Sequence, residues 1–212
     1  MKRFVAVLLC CVILSTGLPA AADAPASLPR WSFEFKGGRF KPELPDWKDY
    51  YGSDSMGEYL AALGYLPLRA LQLGTEVGYA YDSGQGLLPN NGVLGGEVSY
   101  LLVPVHVYVV VRGVFTAEQW VIPYIGGGWT RAYYKQTVKN QQTYKGHADG
   151  WNARAGLQLL INALDPNNAK SLRSDFGIDY TYLTLEAQKF RAEIDGAELG
   201  GTSYLLGLRL EF

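Results

Sequence analysis

The chain has 212 residues, with 19 Lys and Arg against 20 Asp and Glu, a net charge of −1 and no block of like charge. That balance excludes a polyanion-binding face and gives no reason to expect a nucleic-acid partner. Its 48% hydrophobic content, with 25 Gly and 15 Tyr, fits an all-β chain rich in turns and amphipathic aromatics, although composition alone does not separate a lipid-facing barrel from a water-facing one.

Lys2 and Arg3 precede an apolar run from Phe4 to Leu14, which gives way to small residues. This is the layout of a cleaved secretory signal peptide over residues 1–22, with Ala20 and Ala22 as the A-x-A-like site. The apolar run is well short of the ~20 residues a spanning helix needs. Cys10 and Cys11 both fall inside it, so the mature chain is expected to have neither a disulfide framework nor a thiolate site. Removal of the leader leaves 17 basic against 20 acidic side chains, a charge of −3, and a short periplasmic segment over residues 23–30.

From Trp31 onward the pattern is a period of two, in which successive side chains point to opposite faces. WSFEFKGG sets Trp31, Phe33 and Phe35 against Ser32, Glu34 and Lys36. EYLAALGYL sets Tyr59, Ala61, Leu63 and Tyr65 outward, with a less polar inner face at Leu60 and Ala62. LQLGTEVGYAY puts Leu71, Leu73, Val77, Tyr79 and Tyr81 outward and Gln72, Gly74, Glu76, Gly78 and Ala80 inward.

The run Leu101 to Val111 has the ~9–11 residues of a tilted membrane strand, and its valines favour strand over helix. Pro104, His106 and Tyr108 share its inner parity, and Pro104 is a cost because it cannot donate to the ladder. VIPYIGGGWTRAYY sets Ile125, Gly127 and Trp129 opposite Tyr124, Gly126, Gly128 and Thr130, with glycines suited to a sharply curved wall. WNARAGLQLLI places Trp151, Ala153, Ala155, Leu157, Leu159 and Ile161 outward and Asn152, Arg154, Gly156 and Gln158 inward. DFGIDYTYL is expected to place Phe176, Ile178, Tyr180 and Tyr182 outward and Asp175, Gly177, Asp179 and Thr181 inward. GGTSYLLGLRLEF completes eight strands, with Tyr204, Leu206, Leu208, Leu210 and Phe212 on the apolar parity and Arg209 and Glu211 on the other.

The apolar parity is bulky and the polar parity small. Eight strands enclose only enough room for side chains, so the bulky parity belongs outside. The expected fold is an all-β, eight-stranded antiparallel up-and-down transmembrane β-barrel over residues 31–212, closed because an open edge has no partners in hydrocarbon. Its lumen is expected to hold a polar network of Glu34, Lys36, Glu76, Arg154, Asp179 and Arg209, with Glu211 on the same parity, giving a plugged interior. For Lys36 and Glu211, near the mouths, solvation is an equal alternative. Long outer loops are expected at Lys41–Met56, Asp82–Gly95, Lys135–Asp149 and Ala187–Leu199. Inner connections are expected at Leu66–Arg69, Arg112–Gln119 and Leu164–Arg173, the last with one helical turn after Pro166.

The alternating strand that ends in Phe212, with Leu210, Leu208 and Tyr204 on its parity, resembles the C-terminal assembly signal of outer-membrane barrel proteins. The segment Pro123–Trp129 is similar to a stretch of small OmpA/OmpX/OmpW-type barrels. The resemblance implies outer-membrane localisation, outer-membrane lipids around a monomer, and the barrel-assembly machinery and periplasmic chaperones as partners in biogenesis. It implies no cofactor, and without a peptidoglycan-binding domain it implies no cell-wall tether. A structural or surface-interaction role asks nothing further of the sequence. The alternatives are a narrow transport barrel for small hydrophobic compounds, with Leu60, Leu102 and Leu205 as its trace, and an enzyme modifying lipid A. Such an enzyme needs a His with a Ser or Asp partner. Only His106 and His147 exist, the first without an adjacent Ser and the second beside Asp149 in a polar loop, so no catalytic or metal-ligating residue is assigned.

Overall fold

The alternating segments become eight strands, seen in a computed structural model that describes residues 29–44, 47–87, 94–116, 119–138, 143–162, 164–194 and 197–212. The expected leader, its cysteines and its cleavage site lie outside the described residues. The strands are β1 Trp31–Pro42, β2 Met56–Leu68, β3 Leu71–Leu87, β4 Leu94–Arg112, β5 Val121–Val138, β6 Thr143–Leu160, β7 Tyr180–Ile194 and β8 Ala197–Glu211. A short helix, α1 Trp47–Tyr51, lies between β1 and β2. Each strand pairs antiparallel with its chain neighbours, and β1 pairs with β8 to close the barrel. The seam runs from Ser32 opposite Glu211 to Pro42 opposite Gly201. It is finished by Phe212, whose carbonyl accepts the amides of Arg30 and Trp31 at 3.0 and 2.9 Å and whose amide donates to Trp31 at 3.0 Å.

Polarity is inverted relative to a water-soluble barrel. Phe35, Val111, Ile125 and Leu206 on the outer wall are between 52% and 67% exposed. Glu34, Lys36, Glu76, Arg154 and Arg209 are each 5% exposed or less, on the inside. Lys36 and Glu211 are therefore paired inside rather than solvated at the mouths.

Pro104 is absorbed locally. Residues 78–79 and 103–104 drop out of the β3–β4 ladder between the pairs Val77–Val105 and Ala80–Leu102, and the register is the same on both sides. Gly78 leaves room for the proline ring, which a Cβ there would meet at 2.8 Å.

Three expectations are corrected. The seventh strand is not Asp175–Leu183. Pro166–Phe176 forms the helix α2, closed by Gly177 at φ 70°, with the amides of Gly177 and Ile178 donating to the carbonyls of Arg173 and Leu172. β7 begins at Tyr180 and turns Tyr182 inward, so its parity is opposite to the expected one. The apolar spacing of Phe176 and Ile178 is coincidental, since those residues end a helix and a turn. Second, the residues expected as outer loops at Asp82–Gly95, Lys135–Asp149 and Ala187–Leu199 are largely strand: β3 runs to Leu87 and β4 begins at Leu94, β5 runs to Val138 and β6 begins at Thr143, and β7 runs to Ile194 and β8 begins at Ala197. Third, the single helical turn expected after Pro166 is the 11-residue helix α2, in the connection between β6 and β7 at the end of the barrel that carries Trp31 and Phe212.

Candidate functional site

Mid-barrel, four strands bring two cations and two anions together. Lys36 of β1 places Nζ 2.6 Å from Glu76 Oε2 and 2.5 Å from Glu186 Oε1. Arg154 of β6 reaches Glu76 Oε1 at 3.2 Å and lies 4.0 Å from Glu186 Oε1. Tyr124 donates to Glu186 Oε2 at 2.8 Å, and Gln188 Nε2 donates to Glu76 Oε1 at 3.3 Å. The Arg154 guanidinium also stacks 3.7 Å from the centre of the Tyr108 ring. Tyr108 can lie flat because its neighbour across the ladder is Gly74, where any Cβ would strike the phenol ring. All four charged side chains are buried, and the group is electrically neutral.

A second neutral group lies nearer the termini. Arg209 Nε donates to Glu211 Oε1 at 2.8 Å and Nη1 to Gln72 Oε1 at 2.7 Å, with Glu34 Oε2 3.6 Å away. Arg112 Nη2 stands 2.8 Å from Glu211 Oε1, an ion pair without hydrogen-bond geometry, while its Nε donates to Gln158 at 3.0 Å. Thr184 donates to Glu34 Oε1 at 2.7 Å. Of the six residues expected in the lumen network, five fall in these two groups. Asp179 does not: it precedes β7 at the barrel rim and binds Arg173 of α2 at 2.7 Å. Glu186 was missed because it falls between the expected strand, which ends at Leu183, and the expected loop, which begins at Ala187. Arg112 was missed because it lies one residue past the expected end of its strand.

The other half of the lumen is lined mainly by apolar side chains, with Glu58 among them. The helix α1, in the connection between β1 and β2, turns into the mouth. Trp47 stacks on Tyr51 with centroids 4.0 Å apart and meets Tyr100 edge-on at 5.2 Å, above a core that includes Phe40, Leu102 and Phe190. Burial pushes the Tyr51 phenol up to about 12 from an ordinary value of 10.0, because the phenolate would lose its hydration there. A folded-state pKa above the unfolded one means that this contribution is complete below pH 10 and is lost as pH rises toward 12. In a variant that keeps only Trp47, collisional quenching of its fluorescence is expected to rise across that window.

Glu58 is the fifth buried acid, against four buried bases, and its Oε2 has no partner among the described residues. Glu58→Gln removes a buried charge that no base answers. It is expected to leave the urea midpoint of unfolding unchanged or higher, as read from folded and unfolded gel bands.

His106 is 1% exposed, with Nδ1 2.8 Å from Thr130 Oγ1. His147 is on the outer wall, its ring centroid 5.9 Å from that of Tyr133, and the neighbouring Asp149 is held by both Nε and Nη2 of Arg131 at 2.8 Å. The two histidines therefore do not converge. Among the described residues no three His, Cys, Asp or Glu side chains are grouped to hold a metal ion.

No family model matches this chain, and no curated protein sequence matches it. Solved structures do. The crystal structure of Neisserial surface protein A, at 11% identity, aligns over 86% of this chain and 97% of that one with a TM-score of 0.55. The outer membrane protein OprG from Pseudomonas aeruginosa, at 12% identity, aligns over 87% and 97% with a TM-score of 0.56. At such identities the likeness concerns architecture, and the architecture is that of the small outer-membrane eight-stranded barrels.

Proposed function

We propose that a chain with this fold spans the bacterial outer membrane and serves a structural or surface-interaction role, without a pore and without catalysis. The observation that carries this reading is the filled lumen: two neutral ion-paired groups and an aromatic plug lie in series along the barrel. The exposed apolar outer wall, with every strand paired around the closed sheet, suits hydrocarbon. The sole histidine with a hydroxyl partner among the described residues is shut inside this filling, away from substrate. On this reading Tyr204, Leu208, Leu210 and Phe212 form the outer column of β8 that the assembly machinery and chaperones would handle, and the folded monomer is surrounded by lipid.

Two measurements test it. The folded protein should migrate faster than its boiled form on a gel, and a species that stays soluble without a heat-dependent shift would refute the membrane placement. In planar bilayers it should give no conductance steps; discrete steps would sink the closed-lumen reading.

Passage of small hydrophobic compounds is a second reading, favoured by the apolar half of the lumen beneath α1. It predicts that liposomes carrying the barrel take up an apolar dye faster than bare liposomes, and that Trp47→Ala with Tyr51→Ala speeds uptake further. Equal rates in all three would exclude it.

A further inference from the structure

On the outer wall, where β7, β8 and β1 adjoin, four cations stand just above the apolar band. In the register of the sheet, Lys189, Thr202 and Lys41 form one row, and Ala187, Tyr204 and Arg39 form the next row toward the termini. Below them the outward column of β8 continues as Leu206 and Leu208. Adjacent strands lie ~4.8 Å apart, so the two lysines flank the Thr202 hydroxyl with Cα atoms about 10 Å apart. Arg191 stands one step above Lys189 on the same face.

Two carboxylates form ion pairs with this patch, and Glu193 stands outward one step above Arg191. Glu43 is held by Lys189 Nζ at 2.6 Å and Arg191 Nη2 at 3.7 Å. Asp54 lies 3.7 Å from Lys41 Nζ, with both side chains more than 60% exposed, a contact of little strength. Arg39 has no acidic partner among the described residues. Lys41, Lys189 and Arg39 therefore keep a positive excess, with small residues between them and a tyrosine at their lower edge where an aromatic girdle would stand.

We infer that Lys41, Lys189, Thr202 and Arg39 form a binding site for the phosphate of an anionic outer-leaflet lipid whose acyl chains lie along Tyr204, Leu206 and Leu208. The inference rests on the membrane placement proposed above. The source is lipid rather than soluble phosphate because the patch faces sideways off the wall, directly over the apolar column. The lysines supply charge, and the Thr202 hydroxyl donates to a phosphate oxygen. Anionic lipid gains about 1 kcal/mol per cation near the surface, so two lysines correspond to roughly thirtyfold in affinity.

The test uses the full barrel refolded in uncharged detergent and titrated with bisphosphorylated lipid A, dephosphorylated lipid A and inorganic phosphate. Bisphosphorylated lipid should bind tightest, and added salt should weaken it. Lys41→Ala with Lys189→Ala should lose about thirtyfold. Thr202→Glu, which keeps both lysines and sets a carboxylate between them, should lose at least as much. Lys170→Ala, on α2 at the opposite end, should bind as the parent does. Wild-type affinity in the double variant and in Thr202→Glu, or equal binding of the dephosphorylated lipid, would overturn the site. Inorganic phosphate binding as tightly as the lipid would overturn its assignment to a lipid. The heat-dependent gel shift is read on the same samples: variants that retain it yet bind normally refute the site alone, and its absence in the parent refutes the membrane reading.

Discussion

Replacing Lys36 with Met is expected to lower the stability of the barrel by about 3–5 kcal/mol, seen as a fall in the urea midpoint at which the fast-migrating folded band disappears. Among the described residues, Lys36 is the one side chain that touches both Glu76 and Glu186 at short range. Without it the mid-barrel group holds two carboxylates against Arg154 alone, which lies 4.0 Å from Glu186. Removing one partner of a buried pair costs far more than exchanging the whole pair, because the remaining charge has lost its hydration and gained nothing in return. Lys36→Met combined with Glu186→Gln restores neutrality and is expected to recover most of the loss, with Tyr124 still able to donate to the amide oxygen that replaces the carboxylate. If the single variant unfolds at the parent midpoint, the lumen is wet enough to solvate the stranded carboxylates. The closed-lumen reading would then be wrong.

Deleting Phe212 is expected to reduce the amount of folded barrel in cells several-fold. The residue contributes three backbone hydrogen bonds where the sheet closes on itself, to Arg30 and Trp31, and its ring continues the outer column of Leu208 and Leu210. In water a lost terminal hydrogen bond is replaced by solvent; at a seam meant for hydrocarbon it is not. Phe212→Tyr keeps the backbone and the aromatic ring and should assemble normally, which separates the loss of the seam from a general intolerance of change. Parent levels of the heat-shifted band after the deletion would remove this residue from any role in closure or assembly.

Much of the fold was legible because lipid-facing and lumen-facing positions differ in size as well as polarity. β1, β3, β4 and β6 announce their faces through Trp, Phe, Tyr, Leu and Val on one parity, and their inner charges were placed correctly at Glu34, Lys36, Glu76 and Arg154. β7 was not legible. Its outward set, Leu183, Leu185 and Ala187, is short and is followed by Lys189 and Arg191, so the segment resembles a solvated loop. The tempting alternation just before it belongs to α2, whose own signature was present: Pro166 at the start, preorganised for a first turn, and Gly177 just past the end. Asp179 was misplaced and Glu186 missed for this single reason. The inward turn of α1 was hidden too, because Trp47 and Tyr51 in a polar stretch fit an interfacial girdle as well as they fit a plug. What distinguishes them is Tyr100 on the inner parity of β4, a contact between residues far apart in sequence.

The two lumen groups are separately neutral, Lys36 and Arg154 balancing Glu76 and Glu186, and Arg112 and Arg209 balancing Glu34 and Glu211. An electric field does work on a membrane protein in proportion to the net charge it can displace, about 2.3 kcal/mol per elementary charge for each 100 mV. With the charges of each group locked together, neither group offers a free gating charge for a field across the barrel to pull on. Both are thus expected to stay in place under voltage of either sign, and Glu58, outside them, is the buried charge on which a field could act.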